Sequence, residues 1–109
     1  MIIERIAPGD RIPLHRHPID EAIVVESGEL DMRLGDEAHS VSGRSVVFVP
    51  AGVEHGARNV GPEDVIYTAI FPSTQIEIEY LERNPAPGTE GNEPQPPVTY
   101  DARALWLGR

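Results

Sequence analysis

Glycine and proline interrupt this chain too often for long helices to survive. Ten glycines and eleven prolines are spread over 109 residues. Proline removes a backbone donor, and glycine weakens the helix by its conformational freedom. What remains between them is a series of short apolar segments at 2–6, 11–17, 21–26, 30–34, 45–49 and 65–71. Leu30, Met32 and Leu34 alternate with Asp31 and Arg33, the period of a half-buried strand. Residues 45–49 run on without alternation, which predicts a strand buried on both faces. Turn signals separate the segments at Ser27-Gly28, Gly35-Asp36, Ser42-Gly43, Ala51-Gly52 and Gly61-Pro62. Many short strands between such turns indicate an all-β sandwich or barrel.

The C-terminal part reads differently. Residues 74–81 alternate once more, with Ile76, Ile78 and Tyr80 opposite Glu77 and Glu79. Residues 84–97 then carry five prolines and two glycines, which excludes a regular strand or helix interior and predicts an extended arm. The expected division is therefore a barrel over 1–83 and a proline-rich extension over 84–109. Trp106 in that extension predicts docking on the chain's own barrel or on a partner's, since a tryptophan is an odd residue to leave in water.

The absence of cysteine excludes disulfides, thiolate metal sites and cysteine nucleophiles. Any metal must then be held by histidine and carboxylate. The net charge of −9 argues against nucleic acid and anionic membranes as partners. No apolar run approaches a bilayer span, and the first residues lack the basic and apolar regions of a signal peptide, so a cytoplasmic protein is expected. No Ser-His-Asp pattern, phosphate loop or dinucleotide fingerprint is present.

His15 and His17 stand two apart, so in a strand both imidazoles face one side. Glu21 follows after a bend at Pro18-Ile19-Asp20, and His55 follows the Pro50-Ala51-Gly52 turn. Three imidazoles and one carboxylate suit a borderline divalent ion: iron, manganese, zinc, nickel, cobalt or copper. Calcium and magnesium want mostly oxygen. Four protein ligands in an octahedral field leave two positions for water, dioxygen or a chelating substrate. His39 has no ligand partner nearby and reads as an exposed hairpin residue.

Gly9-x5-His15-x-His17-x3-Glu21-x6-Gly28 resembles the first motif of the cupin family, and Pro50-x-Gly52-x2-His55-x3-Asn59 resembles the second. The resemblance covers roughly residues 8–72. It implies a double-stranded β-helix, or jelly-roll barrel, of two antiparallel sheets, commonly paired as a homodimer, with one metal ion on His15, His17, Glu21 and His55. In the family the second motif opens with a glycine six positions before the proline. Here Arg44 fills that slot and Gly43 precedes it, which is read as a turn shifted by one residue.

Strand parity nominates walls for the pocket. Ile23 and Val25 share the face of Glu21, and Ala57 shares that of His55. Met32, Phe48, Tyr67 and Phe71 are further candidates, Tyr67 with a hydroxyl that could act on a substrate. Arg11 joins the site if its strand is regular that far back. A break of parity at Pro13, the favoured reading, leaves it in solvent. The expected function is a metal-dependent enzyme on a small organic molecule, with dioxygenase-like or Lewis-acid chemistry such as isomerisation, cyclisation, lyase action or decarboxylation. In some similar proteins the glutamate matching Glu21 also acts as a base. The alternatives are a metabolite-binding sensor barrel or a barrel whose metal is structural.

Overall fold

Each apolar segment becomes a strand in the computed structural model, which describes residues 1–83 and 92–101. The strands are β1 (Ile2–Ile6), β2 (Arg11–Arg16), β3 (Glu21–Ser27), β4 (Glu29–Leu34), β5 (Glu37–Ser42), β6 (Ser45–Val49), β7 (His55–Asn59), β8 (Val65–Ile70), β9 (Gln75–Tyr80) and β10 (Val98–Asp101). They form two antiparallel sheets, one in the order β1-β8-β3-β6 and the other β10-β9-β2-β7-β4-β5. No helix among the described residues is long and apolar enough to cross a membrane. Residues 84–91 of the proline-rich stretch, and Trp106, lie outside the described residues. Within the described part of the extension, β10 pairs with β9 from Val98↔Ile78 to Asp101↔Gln75.

The inward side chains of both sheets meet in one core of Ile6, Ile23, Val25, Leu30, Met32, Val49, Val65, Tyr67 and Ala69. Val25, Leu30 and Val65 are sealed from solvent. At about 1.5–3 kcal/mol for each fully buried aliphatic side chain, this cluster is the main source of stability.

Two features correct the expectations. Residues 45–49 are not buried on both faces. β6 is the edge of the four-stranded sheet, and its outer residues Val46 and Phe48 are 69% and 55% exposed. Phe48 therefore points away from the interior that holds the histidines. Nor does the turn at Gly43-Arg44 shift by one residue. Arg44 itself adopts φ +67°, the left-handed conformation that suits glycine, and its amide donates to Val25 O at 2.6 Å.

A glycine is required at position 28, where φ is +90° and an added Cβ would lie 2.8 Å from Asp64 O and from Val65 Cγ2. The β3–β4 turn thus packs directly against the start of β8. Asn59, buried at the end of β7, donates from Nδ2 to Ile6 O and Glu63 O and accepts from Gly61 N. It fastens loops at that end and takes no part in the imidazole cluster.

Candidate metal centre

A bulge in β2 determines what faces the interior. Ile12 pairs with Ala57, but the next pair is His15 with His55, so β2 spends one residue more than β7 over that interval. Pro13 sits in this irregular stretch, where its missing N–H costs no ladder bond. The amide of Leu14, displaced from the ladder, donates to Glu82 Oε1 at 2.8 Å.

The bulge reverses the parity upstream. Arg11 turns to the outer face, where it donates to Glu82 Oε1 at 3.2 Å and to Arg83 O at 3.3 Å. It lines a separate hollow of about 150 Å³ with Arg33, Arg58 and Glu82. Arg11 is accordingly no part of the histidine site.

Downstream of the bulge, His15 and His17 point inward. The His15 and His55 ring centroids lie 4.2 Å apart, and those of His15 and His17 lie 4.9 Å apart. A nitrogen from each of His15, His17 and His55 lies within 4.8 Å of the others, and all three residues are buried. Two nitrogens on one ion, at bonds of about 2.1 Å, stand roughly 3.0–3.4 Å apart, so the group is positioned to bind a metal ion after a modest inward turn of the rings.

The ring orientations are set by backbone carbonyls. His15 Nδ1 donates to Pro13 O at 2.7 Å, His17 Nδ1 to Glu77 O at 2.8 Å, and His55 Nδ1 to Val53 O at 3.0 Å. A carbonyl only accepts, so the ring hydrogen sits on Nδ1 in each case. In the neutral rings, Nε2 is then a free lone pair. Glu21 Oε1 lies 2.9 Å from His55 Nε2 and 3.3 Å from His17 Nε2. Acceptors this close are held together by a positive centre, either a proton or a metal cation. The donor set therefore fits a cation.

The electrostatics agree. Burial first, then the neighbouring His55, pushes His15 down to about 4. Burial acts to raise the Glu21 carboxyl, but hydrogen bonds through a proton shared with the Nε2 atoms of His17 and His55 outweigh it and hold the group at about 2. At neutral pH, His15 thus offers a lone pair and Glu21 a full negative charge. Loop contacts fix the frame. Asp20 Oδ1 accepts from Ala51 N at 2.8 Å, and Gly52 N donates to His17 O at 2.8 Å, so the turn before His55 is tied to the bend between His17 and Glu21.

Among the wall candidates, the Phe71 ring stands edge-on to His17 with centroids 5.0 Å apart. Ile23, Val25 and Met32 belong to the apolar core, and Ala57 packs against it. The Tyr67 hydroxyl donates to Glu4 Oε2 at 2.8 Å. His39 is half-exposed beside Glu37 and stands apart from the cluster. Sequence reasoning missed two residues. Tyr80 pairs opposite His15 with its ring 6.3 Å away, and Glu4 meets Tyr67. The signals for both were present: Tyr80 has the parity of Ile76 and Ile78, and Glu4 has that of Ile2 and Ile6.

Known proteins place this arrangement. Auxin-binding protein 1 of Arabidopsis thaliana is 27% identical over 85 residues, covering 70% of this chain and 43% of its own length. A conserved Klebsiella pneumoniae protein with a double-stranded β-helix domain superposes with a TM-score of 0.61 at 28% identity, covering 63% of this chain and 62% of that one. Oxalate decarboxylase of Bacillus subtilis, studied for its Mn(II) centres, gives a TM-score of 0.59 at 27% identity, over 63% of this chain and 20% of the enzyme. The chain thus spans less than half of the plant protein and one fifth of the decarboxylase. The family described as "Cupin domain" matches residues 2–71, and with both sheets and the histidine cluster in place, this chain belongs to that family.

Proposed function

We propose that this chain binds one divalent transition-metal ion on His15, His17, Glu21 and His55 and acts on a small organic ligand there. The observation that carries the reading is the common orientation of the rings. Each spends its Nδ1 hydrogen on a carbonyl, which leaves three Nε2 atoms and a carboxylate turned toward one another. Manganese, iron, cobalt, nickel, copper and zinc all suit such donors. An ion of this kind supplies Lewis-acid polarisation of a ligand oxygen, or one-electron chemistry where the metal is redox-active.

The protein's own residues supply the rest. Burial of the four side chains excludes bulk water, the carbonyl contacts pre-orient the rings, and Glu21 is ionised and available as a ligand or base. The likeness to a decarboxylase with Mn(II) centres supports an enzyme rather than a passive barrel. Elemental analysis of freshly purified protein, with one aliquot kept anaerobic, should find about one such ion per chain. His55→Ala should lose most of that metal while circular dichroism retains its β signature. Global unfolding of the variant would indicate a structural ion instead. Failure of the wild-type protein to take up any metal on reconstitution would sink the reading.

The reading extends to assembly as a homodimer through the outer face of the four-stranded sheet. The row Ile3–Thr68–Val24–Val46 crosses all four strands, and Ile70–Ala22–Phe48 lies beside it. Ile3, Val46, Phe48 and Ile70 are exposed, a larger apolar patch than scattered surface residues would give. Phe48→Glu should convert a dimer to a monomer in sedimentation analysis, and a monomeric wild-type chain would reject this assembly.

A further inference from the structure

The outer face of the six-stranded sheet gathers positive charge on a chain whose net charge is −9. Arg11, Arg58 and Asp31 stand in one row across β2, β7 and β4, with Arg58 directly opposite both of the others. Arg33 stands beside them, opposite Gly56. Like charges directly opposite each other destabilise a sheet, so the Arg11–Arg58 pair favours an anion between them. Gly56 presents bare backbone on this face, and the β2 bulge closes over it: an added Cβ would lie 3.0 Å from Ile12 O. No side chain from that position enters the hollow of about 150 Å³ that these residues form with Glu82. Arg58 alternates with His55 along β7, so the hollow and the histidines lie on opposite faces of that strand.

Glu82 answers only part of this charge. Its Oε1 accepts from the Leu14 amide and from Arg11 Nη1, and its Oε2 lies 3.6 Å from Arg33 Nη1. One carboxylate thus serves two guanidiniums. Arg58 makes no ion pair among the described residues, not even with Asp31 opposite it. The Arg11 side chain is only 14% exposed, and its bonds to Glu82 and to Arg83 O leave other N–H groups of the guanidinium unspent. Three arginines against two carboxylates leave the hollow with a net positive charge. We propose that it is a second binding site, for a small organic monocarboxylate held by Arg58 and by the unspent N–H groups of Arg11. The planar fork of a guanidinium matches the two oxygens of a carboxylate. A single negative charge balances the hollow, whereas a dianion would be repelled by Glu82 and Asp31. The space suits a small molecule and not a polymer.

The test titrates lactate into the full, isotope-labelled chain supplied with Zn(II), and follows the arginine side-chain N–H signals by NMR. Those of Arg11 and Arg58 should shift and saturate. Arg58→Gln should weaken lactate binding about tenfold, the loss of a hydrogen bond to a charged group. Arg16→Gln, which removes a different outer-face ion pair, should leave it unchanged, and the amide spectrum of each variant reports folding. Absence of a saturable shift at Arg11 and Arg58 would overturn the proposal, as would equal losses in the two variants, which would indicate general attraction of anions to arginine. Oxalate binding more tightly than lactate at the same signals would overturn the choice of a monocarboxylate. Shifts confined to His15, His17 and His55 would place the acid at the metal centre and leave the hollow as a packing feature of the bulge.

Discussion

Toward one end of the barrel interior, Val25, Leu30 and Val65 are sealed among aliphatic neighbours. Toward the other, His15, His17, Glu21 and His55 are almost as deeply buried, yet every one is polar. The first region gains free energy from burial alone. The second is tolerable because each ring spends its Nδ1 hydrogen on a carbonyl and Glu21 lies against His17 and His55, and no fully buried side-chain nitrogen or oxygen among the described residues lacks a hydrogen-bond partner. The two regions share strands: β3 carries both Glu21 and Val25, and β4 carries Leu30 beside β7, which carries His55. The contrast teaches that the apolar region holds the fold and the polar region is carried on it.

Three experiments press on that separation. The largest effect is expected at Leu30, which is 1% exposed. Leu30→Ala should cost about 2–5 kcal/mol in denaturant unfolding, the usual range for a truncated core leucine, while the folded fraction still binds metal. Loss of metal affinity in that folded fraction would show that the two regions are not separable.

The second experiment is a pH series on metal-free protein. His15 is held at about 4 in the folded chain, below its ordinary 6.5, and Glu21 at about 2, below 4.5. The unfolded chain therefore binds the extra proton first at both sites. Stability should fall from about pH 6.5 to 4 on account of His15 and from about 4.5 to 2 on account of Glu21. Each contributes at most about 3 kcal/mol. A flat profile from pH 7 to 4 would mean that His15 is not held neutral and that the polar region carries less electrostatic tension than its burial implies.

The smallest effect should come from outside both regions. Arg44→Gly relieves a side chain held at φ +67° and should raise stability by about 1 kcal/mol, measured as a higher melting temperature with unchanged metal content. A loss of stability would show that the arginine side chain contributes more than its backbone costs.

The polar region was the more legible in sequence. The spacing of His15, His17, Glu21 and His55 carries its own geometric meaning, and the structure brings those side chains together. Strand edges and irregularities were harder to see. β7 reads His-Gly-Ala-Arg-Asn, with little apolar alternation, and becomes a strand because β2 and β4 pair with it on both sides. Similarly, β5 is an exposed strand that exists by pairing with β4. Phe48 was misplaced because composition does not reveal that β6 lies at an edge. Strict parity ends at Pro13, the break that the favoured reading of that proline expected, because a bulge changes the count there.

The carbonyls that orient the three rings belong to Pro13, Glu77 and Val53. They come from the main chain, so no point mutation can delete them. Sites whose ligands lean on neighbouring carboxylate or amide side chains can lose that support through a single codon. Here the support survives as long as the strands keep their register, and the surrounding sequence is free to drift. A lineage built on such a centre could remodel its pocket through many intermediates without first surrendering the metal, which makes this barrel a tolerant starting point for new chemistry.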